Sequence, residues 1–279
     1  MIISRYAGQL TRYIQQQKAA GLQIGFVPTM GALHEGHMAL IHQSKKETGI
    51  TVCSIFVNPT QFNNASDYQH YPITIDQDIA RLEKAGTDIL FLPSVAEMYP
   101  TGTDGLEQYD LGFLETVLEG KYRPGHFQGV CQVMSRLLTM VQPHQLFMGQ
   151  KDYQQCMVVS RLLQLMQSPT RLVPFPTVRE ADGLAMSSRN LRLPPAHRER
   201  AGTIYKCLQL IKEACKNGKS WKDIQPQAMD LLTANGFRID YVELADAGTL
   251  EPVNDCHQPA VALIAAFLGE VRLIDNLLI

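Results

Sequence analysis

Along the first part of the chain, apolar positions follow two alternating rhythms. Continuous apolar runs at residues 22–27, 50–57, 88–92, 145–148 and 172–175 read as buried strands, and the run ITVCSIFV is rich in β-branched residues. Between them, apolar residues recur every three or four positions, which predicts one-faced helices over residues 4–20, 37–48, 75–85, 127–142 and 153–166. Ile79, Leu82 and Ala85 share one such face, and Val130, Met134, Leu137, Leu138 and Val141 share another. Strands separated by helices imply right-handed crossovers and a parallel sheet, whose ligands lie beyond the carboxyl ends of its strands.

The pattern changes in PFPTVREADGLAMSSRNLRLPP, a proline-rich stretch with few apolar residues that reads as a loop or hinge. Helices are expected next over residues 195–217 and 221–235, then strands at 238–244, 260–267 and 271–274. The expected fold class is α/β: a Rossmann-like parallel-sheet domain over residues 1–176 and a smaller α+β domain over 177–279.

Composition narrows the function classes. The chain has 279 residues, 45% hydrophobic and 19% charged, which suits a folded enzyme-sized protein rather than a disordered one. A net charge of −2 argues against a nucleic-acid partner bound through a globally basic surface. The N-terminal MIISRYAGQLTRYIQQQ lacks a signal peptide's apolar core, and the longest apolar run, residues 260–269, is too short to span a membrane. A cytoplasmic protein with no membrane partner is expected. Cys53, Cys131, Cys156, Cys207, Cys215 and Cys256 form no CxxC pair, so buried free thiols in a reducing compartment are expected. GxGxxG and GxSxG are absent, and Gly218-Lys219-Ser220 is no P-loop because Glu213 stands where its first glycine belongs. Asn64-Ala65-Ser66 is a glycosylation sequon by letter only.

Several loops that follow strands carry chemistry. Pro28-Thr29-Met30-Gly31-Ala32-Leu33-His34-Glu35-Gly36-His37 joins a buried strand to a helix, whose free N–H groups and positive dipole end suit phosphate. His34 and His37 are three apart, whereas zincin histidines are four apart, so phosphate is favoured over a metal. In Gly149-Gln150-Lys151-Asp152-Tyr153-Gln154-Gln155, Lys151 can neutralise phosphate oxygens, although a helix start capped by Asp152 explains the segment as well. Met186-Ser187-Ser188-Arg189-Asn190 offers two hydroxyls and a guanidinium to a phosphate chain; alone, a polar hinge is the simpler reading. Asn58-Pro59-Thr60-Gln61-Phe62 places amides after a central strand, either to orient a polar substrate or to make a turn.

Together, His34 with His37 and Met186-Ser187-Ser188-Arg189 resemble the HIGH and KMSKS signatures of the nucleotidylyltransferase superfamily. PTMGALHEGH, SIFVNPTQF, YRPGHFQGV, GQKDYQQ, TVREADGLAMSSRN and VRLIDN occur in order and closely resemble the pantothenate synthetase (pantoate–β-alanine ligase) family. The resemblance implies ATP-dependent condensation of pantoate with β-alanine through pantoyl adenylate, releasing pyrophosphate and then AMP. It assigns Met30, Gly31, Ala32, Leu33, His34, Glu35, Gly36 and His37 to ATP, with His37 as proton donor and His34 on the phosphate and ribose side. Gly149, Gln150, Lys151 and Asp152 form the next ATP segment, with Lys151 on phosphate and Asp152 on ribose; Val178 lies beside adenine. Met186, Ser187, Ser188 and Arg189 form the phosphate-closing loop. Gln61 serves pantoate and β-alanine, Gln155 pantoate, and Asn58 with Arg123 or His126 lines the pantoate side. The resemblance further implies Mg²⁺ carried on ATP rather than a protein metal site, a lid role for the smaller domain, and a homodimer. Gln150 and Val271 depart from the family's frequent Glu and Thr. Other readings are a different small-molecule adenylyltransferase of the superfamily, or a catalytically silent nucleotide-binding regulator. A tRNA synthetase fragment is disfavoured by the charge and by the lack of an anticodon-binding segment.

Overall fold

A computed structural model describes residues 1–63, 65–254, 256 and 259–279, so Asn64 of the sequon lies outside the described residues. Strands β1 (Ile2–Ser4), β2 (Ile24–Thr29), β3 (Ile50–Ile55), β4 (Ile89–Phe91), β5 (Gln145–Gly149) and β6 (Arg171–Phe175) form one sheet in the order β1-β4-β3-β2-β5-β6. Every pairing in it is parallel. Alternate strand residues feed two cores. Phe26, Val52 and Leu146 pack with Leu10, Phe127, Val130 and Val159, while Val27, Cys53 and Phe147 pack with Met38, Ile41 and Leu82. Strands β2 to β5 are buried on both faces and have no polar side, which is why they read as apolar runs.

The chain divides into two compact units. The first comprises residues 1–150 and 154–176; the second comprises 151–153 and 177–279. The second unit contains β7 (Phe237–Asp246), β8 (Ala260–Leu268) and β9 (Val271–Leu278), an antiparallel sheet in that order. The helices Thr203–Lys216 and Trp221–Ala234 supply Ile204, Leu208, Ile211, Ile224 and Leu232 to a core shared with Leu244, Ile264 and Leu268.

Four local features differ from the sequence reading. The expected helix over residues 4–20 is β1 followed by the helix Ala7–Ala19, because Ile2–Ser4 pair with Ile89–Phe91. The expected helix 195–217 is split into Pro195–Ala201 and Thr203–Lys216 at Gly202, where a Cβ would crowd the Asp182 carbonyl at 2.8 Å. β9 runs past residue 274 and carries Asp275 and Asn276 as buried strand residues. The cysteines are not all free thiols: Cys215 and Cys256 form a disulfide, their Cα atoms 5.4 Å apart across 41 residues, a pairing that no local spacing signals. Cys53, Cys131, Cys156 and Cys207 are free and buried, and burial pushes Cys53, Cys131 and Cys207 up to about 12, so they are inert thiols.

Candidate active site

β2 lies between β3 and β5, so the segments leaving these three strands emerge side by side at the edge where parallel sheets bind ligands. The segment after β2 turns through Gly31 and Ala32, with φ of 85° and 49°. A left-handed alanine is disfavoured and must be held. The holder is Asp78, 1% exposed: Oδ2 accepts from Ala32 N–H at 2.9 Å and Oδ1 from Leu33 N–H at 2.8 Å. The Thr74 hydroxyl donates to Oδ1 at 3.1 Å. A Cβ at residue 31 would lie 3.1 Å from Ile55 and 3.2 Å from Asp78 Oδ2, so both space and φ require glycine there.

The turn delivers His34 as the N-cap of the helix Glu35–Glu47. The His34 N–H donates to His37 Nδ1 at 3.2 Å, and the two rings lie 4.0 Å apart. A ring nitrogen that accepts carries no proton, so neutral His37 keeps its proton on Nε2. The loop therefore sets an imidazole whose ring proton is on Nε2 at the capped start of a helix, where the His37 N–H reaches the His34 carbonyl at 2.8 Å.

After β3, Asn58 is 1% exposed and its amide organises the loop. Oδ1 accepts from the Tyr99 hydroxyl at 2.8 Å and the Thr60 hydroxyl at 3.2 Å; Nδ2 donates to Gly129 O at 3.1 Å and Gln61 Oε1 at 3.2 Å. Burial pushes the Tyr99 hydroxyl's pKa up, which keeps it a donor. Gln61 Nε2 in turn lies 3.0 Å from Met30 Sδ, so the loops after β2 and β3 meet through named site residues. The Gln61 carbonyl is 2.7 Å from His126 Nδ1; His126 Nε2 is 3.0 Å from Arg123 Nη1, which pairs with Glu119 at 3.5 Å. The helix His126–Val141 presses on this loop at Gly129, where a Cβ would run into the Thr60 carbonyl.

Gly149 ends β5 and Gln150 begins a short 3-10 turn. In the helix Tyr153–Leu165, buried Gln154 donates to Leu114 O and Val117 O, while Gln155 is half-buried. In the second unit, Lys151 Nζ lies 3.5 Å from Asp152, and the Lys151 carbonyl accepts from Asn276 Nδ2 at 2.7 Å. Residues 178–186 form a tight hairpin: Met186 N–H donates to Val178 O at 3.0 Å, and Arg179 bridges to Ala185. Ser187 caps the next turn by accepting from Arg189 N–H at 3.3 Å, and Ser188 is buried. Arg179 pairs with both carboxylate oxygens of Asp275, at 2.6 and 3.0 Å.

The structure thus brings together Met30, Gly31, Ala32, Leu33, His34, His37, Asn58 and Gln61 in the first unit, and ties Lys151 into the second with Val178 and residues 186–189. Asp78, Tyr99, Arg179, Asp275 and Asn276 are supporting residues that the motifs left without a role. Asp78 had one visible signal, a carboxylate on the apolar face of the helix Ile75–Lys84, between Ile75 and Leu82. Among the described residues, no three His, Cys, Asp or Glu side chains gather to hold a metal ion.

Residues 2–278 match the family model described as Pantoate-beta-alanine ligase. The chain is 42% identical over 280 residues to a pantothenate synthetase of Leptospira biflexa, covering 99% of this chain and 98% of that one. It is 43% identical over 277 residues to one from Cytophaga hutchinsonii, covering 97% and 96% of the two chains. Among solved structures, the pantothenate synthetase of Thermus thermophilus superposes with a TM-score of 0.92 at 41% identity, covering 99% of both chains. The Francisella tularensis ligase, described as complexed with beta-gamma ATP and beta-alanine, gives 0.83 at 36% identity, covering 100% of this chain and 97% of that one. Matches of this extent select the ligase over the other adenylyltransferases and over a silent regulator: the chain belongs to the pantoate-beta-alanine ligase family.

Proposed function

We propose that the residues assembled above carry out pantothenate synthesis in two steps. A pantoate carboxylate oxygen attacks the α-phosphorus of ATP; the bond to the β-phosphate breaks and pyrophosphate leaves. The neutral amine of β-alanine then attacks the carbonyl of pantoyl adenylate, loses a proton, and the bond to AMP breaks. The first step brings an anion to a polyanion, so donors aimed at developing phosphate charge lower its barrier. The His34–His37 turn carries this assignment, because His37 accepts at Nδ1 and so holds its ring proton on Nε2, at the positive dipole end of the helix Glu35–Glu47.

Gly149, Gln150, Lys151 and Asp152 take the next stretch of ATP, with Lys151 on phosphate and Asp152 on ribose. Val178 offers backbone to adenine, and Met186, Ser187, Ser188 and Arg189 close on the phosphates. Gln61 both donates and accepts, so it serves pantoate first and the β-alanine amine later. Gln155 adds a second pantoate contact. Asn58 acts through Gln61, whose side-chain oxygen it holds. The His126–Arg123–Glu119 chain steadies the Gln61 carbonyl. Mg²⁺ carried on the ATP phosphates belongs to the same reading. There it would offset phosphate charge during displacement. Residues 1–176 bind nucleotide and pantoate in this reading, and residues 177–279 act as the lid. A homodimer and a cytoplasmic location belong to the same reading; no described helix is long and apolar enough to cross a membrane.

The test is pantoate-dependent exchange of pyrophosphate into ATP, followed by pantothenate formation on adding β-alanine. Lys151→Ala should slow adenylation by at least about 10²-fold, the scale of losing one oxyanion donor. Near-normal exchange in the folded variant would remove Lys151 from the phosphate site.

A further inference from the structure

VRLIDN is the one motif to which the activity above assigns no task. The structure places its last two residues inside β9, paired with Ile264 and Leu263 of β8. The partners are wholly buried strand residues, so the register of β9 is tightly specified. Asp275 and Asn276 are 2% and 4% exposed. Polar side chains at such positions cost stability unless they find partners, and here each finds a partner in a different site segment. Asn276 Nδ2 donates to the Lys151 carbonyl at 2.7 Å. Asp275 accepts both ends of the Arg179 fork, at 2.6 and 3.0 Å. The same guanidinium donates to Gly183 O at 3.0 Å and Asn276 O at 3.3 Å, and lies 3.9 Å over the Tyr205 ring. Arg179 opens the hairpin that leads into residues 186–189.

We propose that Asp275 and Asn276 are positioning residues for adenylation. Two adjacent positions on one strand hold the backbone of Lys151 and the base of the hairpin before Ser187, Ser188 and Arg189. They set the spacing between two groups of phosphate ligands that lie far apart in sequence. This rests on the reading that Lys151 and residues 187–189 contact ATP phosphates. A small displacement of such ligands is enough to slow a positioned reaction by orders of magnitude.

The experiment is a double-mutant cycle on Asn276→Ala and Lys151→Ala in the full-length enzyme. Adenylation is read by pyrophosphate exchange, and the second step by amide formation from supplied pantoyl adenylate. Asn276→Ala should lower the kcat of adenylation about tenfold or more, while amide formation from the supplied adenylate changes by less than about threefold. If Asn276 acts through Lys151, the double variant should be no slower than Lys151→Ala alone. Additive losses, or equal losses in both steps, would overturn the proposal and leave Asn276 a fold residue. Should Asn276→Ala fail to fold, Asn276→Leu keeps a branched side chain, removes the donor without adding charge, and is read against the same outcomes. An unimpaired Lys151→Ala would instead sink the underlying phosphate reading, and this inference with it. An impaired Lys151→Ala beside an unimpaired Asn276→Ala would sink this inference alone.

Discussion

Each unit uses a buried aspartate to hold a site loop, and the two do so with opposite chemistry. Asp78 accepts from neutral donors, the N–H groups of Ala32 and Leu33 and the Thr74 hydroxyl. Asp275 faces a guanidinium that it grips at both ends. Burial pushes the Asp275 carboxyl's pKa up, and Arg179 pulls against that shift. The neutral clamp fixes a local backbone conformation, including a left-handed alanine. The charged clamp ties segments 96 residues apart, for which the longer reach and forked geometry of arginine are suited. Removing a partner therefore has different consequences: orphaned amides in one unit, an uncompensated buried charge in the other.

The largest effect should come from Arg179→Met, which leaves the Asp275 carboxylate buried without its cation. Breaking one side of such a pair costs about 3–5 kcal/mol, to be read by urea unfolding near neutral pH. A loss under about 1 kcal/mol would show that the pair is dispensable and dissolve the contrast. Asp78→Ala is next, at about 2–3 kcal/mol for backbone donors left unsatisfied. It should also weaken ATP binding, measured by calorimetry, because residues 30–34 lose their anchor; unchanged affinity would make Asp78 a stability residue only. The smallest effect belongs to a half-buried aspartate doing a similar task. Asp246 accepts from Gly248 and Thr249 N–H groups, both at 2.8 Å, and these bonds hold its carboxyl below the usual range. A pKa lower in the folded state means stabilisation that is present above the unfolded value, about 4, and lost as pH falls through the folded one. Asp246→Asn should thus lower the thermal midpoint slightly at pH 7, with the gap to the parent closing in acid. A gap independent of pH would assign the loss to shape rather than charge.

The parallel sheet was legible because strands buried on both faces leave continuous apolar runs, and the loops after β2, β3 and β5 because their residue types are unusual after strands. β1 was not, since three residues carry no period and Ile2–Ser4 are strand only through pairing with Ile89–Phe91. β9 extends beyond the strand that the sequence pattern predicts at 271–274. Asp-Asn reads as the end of a strand, and only the distant Arg179 and Lys151 make the pair tolerable inside one. The site divides the same way. His34, His37, Lys151 and Gln61 stand in motifs, whereas Asp78 and Asp275 gain meaning from partners 45 and 96 residues away. The Cys215–Cys256 bond is hidden by the same kind of separation.

The order in which a ribosome makes this chain gives the Asn276–Lys151 bond a further meaning. Lys151 is synthesised 125 residues before the side chain that anchors its carbonyl. Tyr153 likewise waits for the Ala247 carbonyl, to which its hydroxyl donates at 2.7 Å. The parallel sheet is complete once residue 175 has emerged, yet the segment 151–153 belongs to the unit finished last. A chain stopped after residue 274 would hold His37, Lys151 and residues 186–189 and still lack the side chain that anchors the Lys151 carbonyl. If Lys151 holds ATP phosphate as proposed, adenylation during synthesis should consequently appear only after residue 276 has emerged.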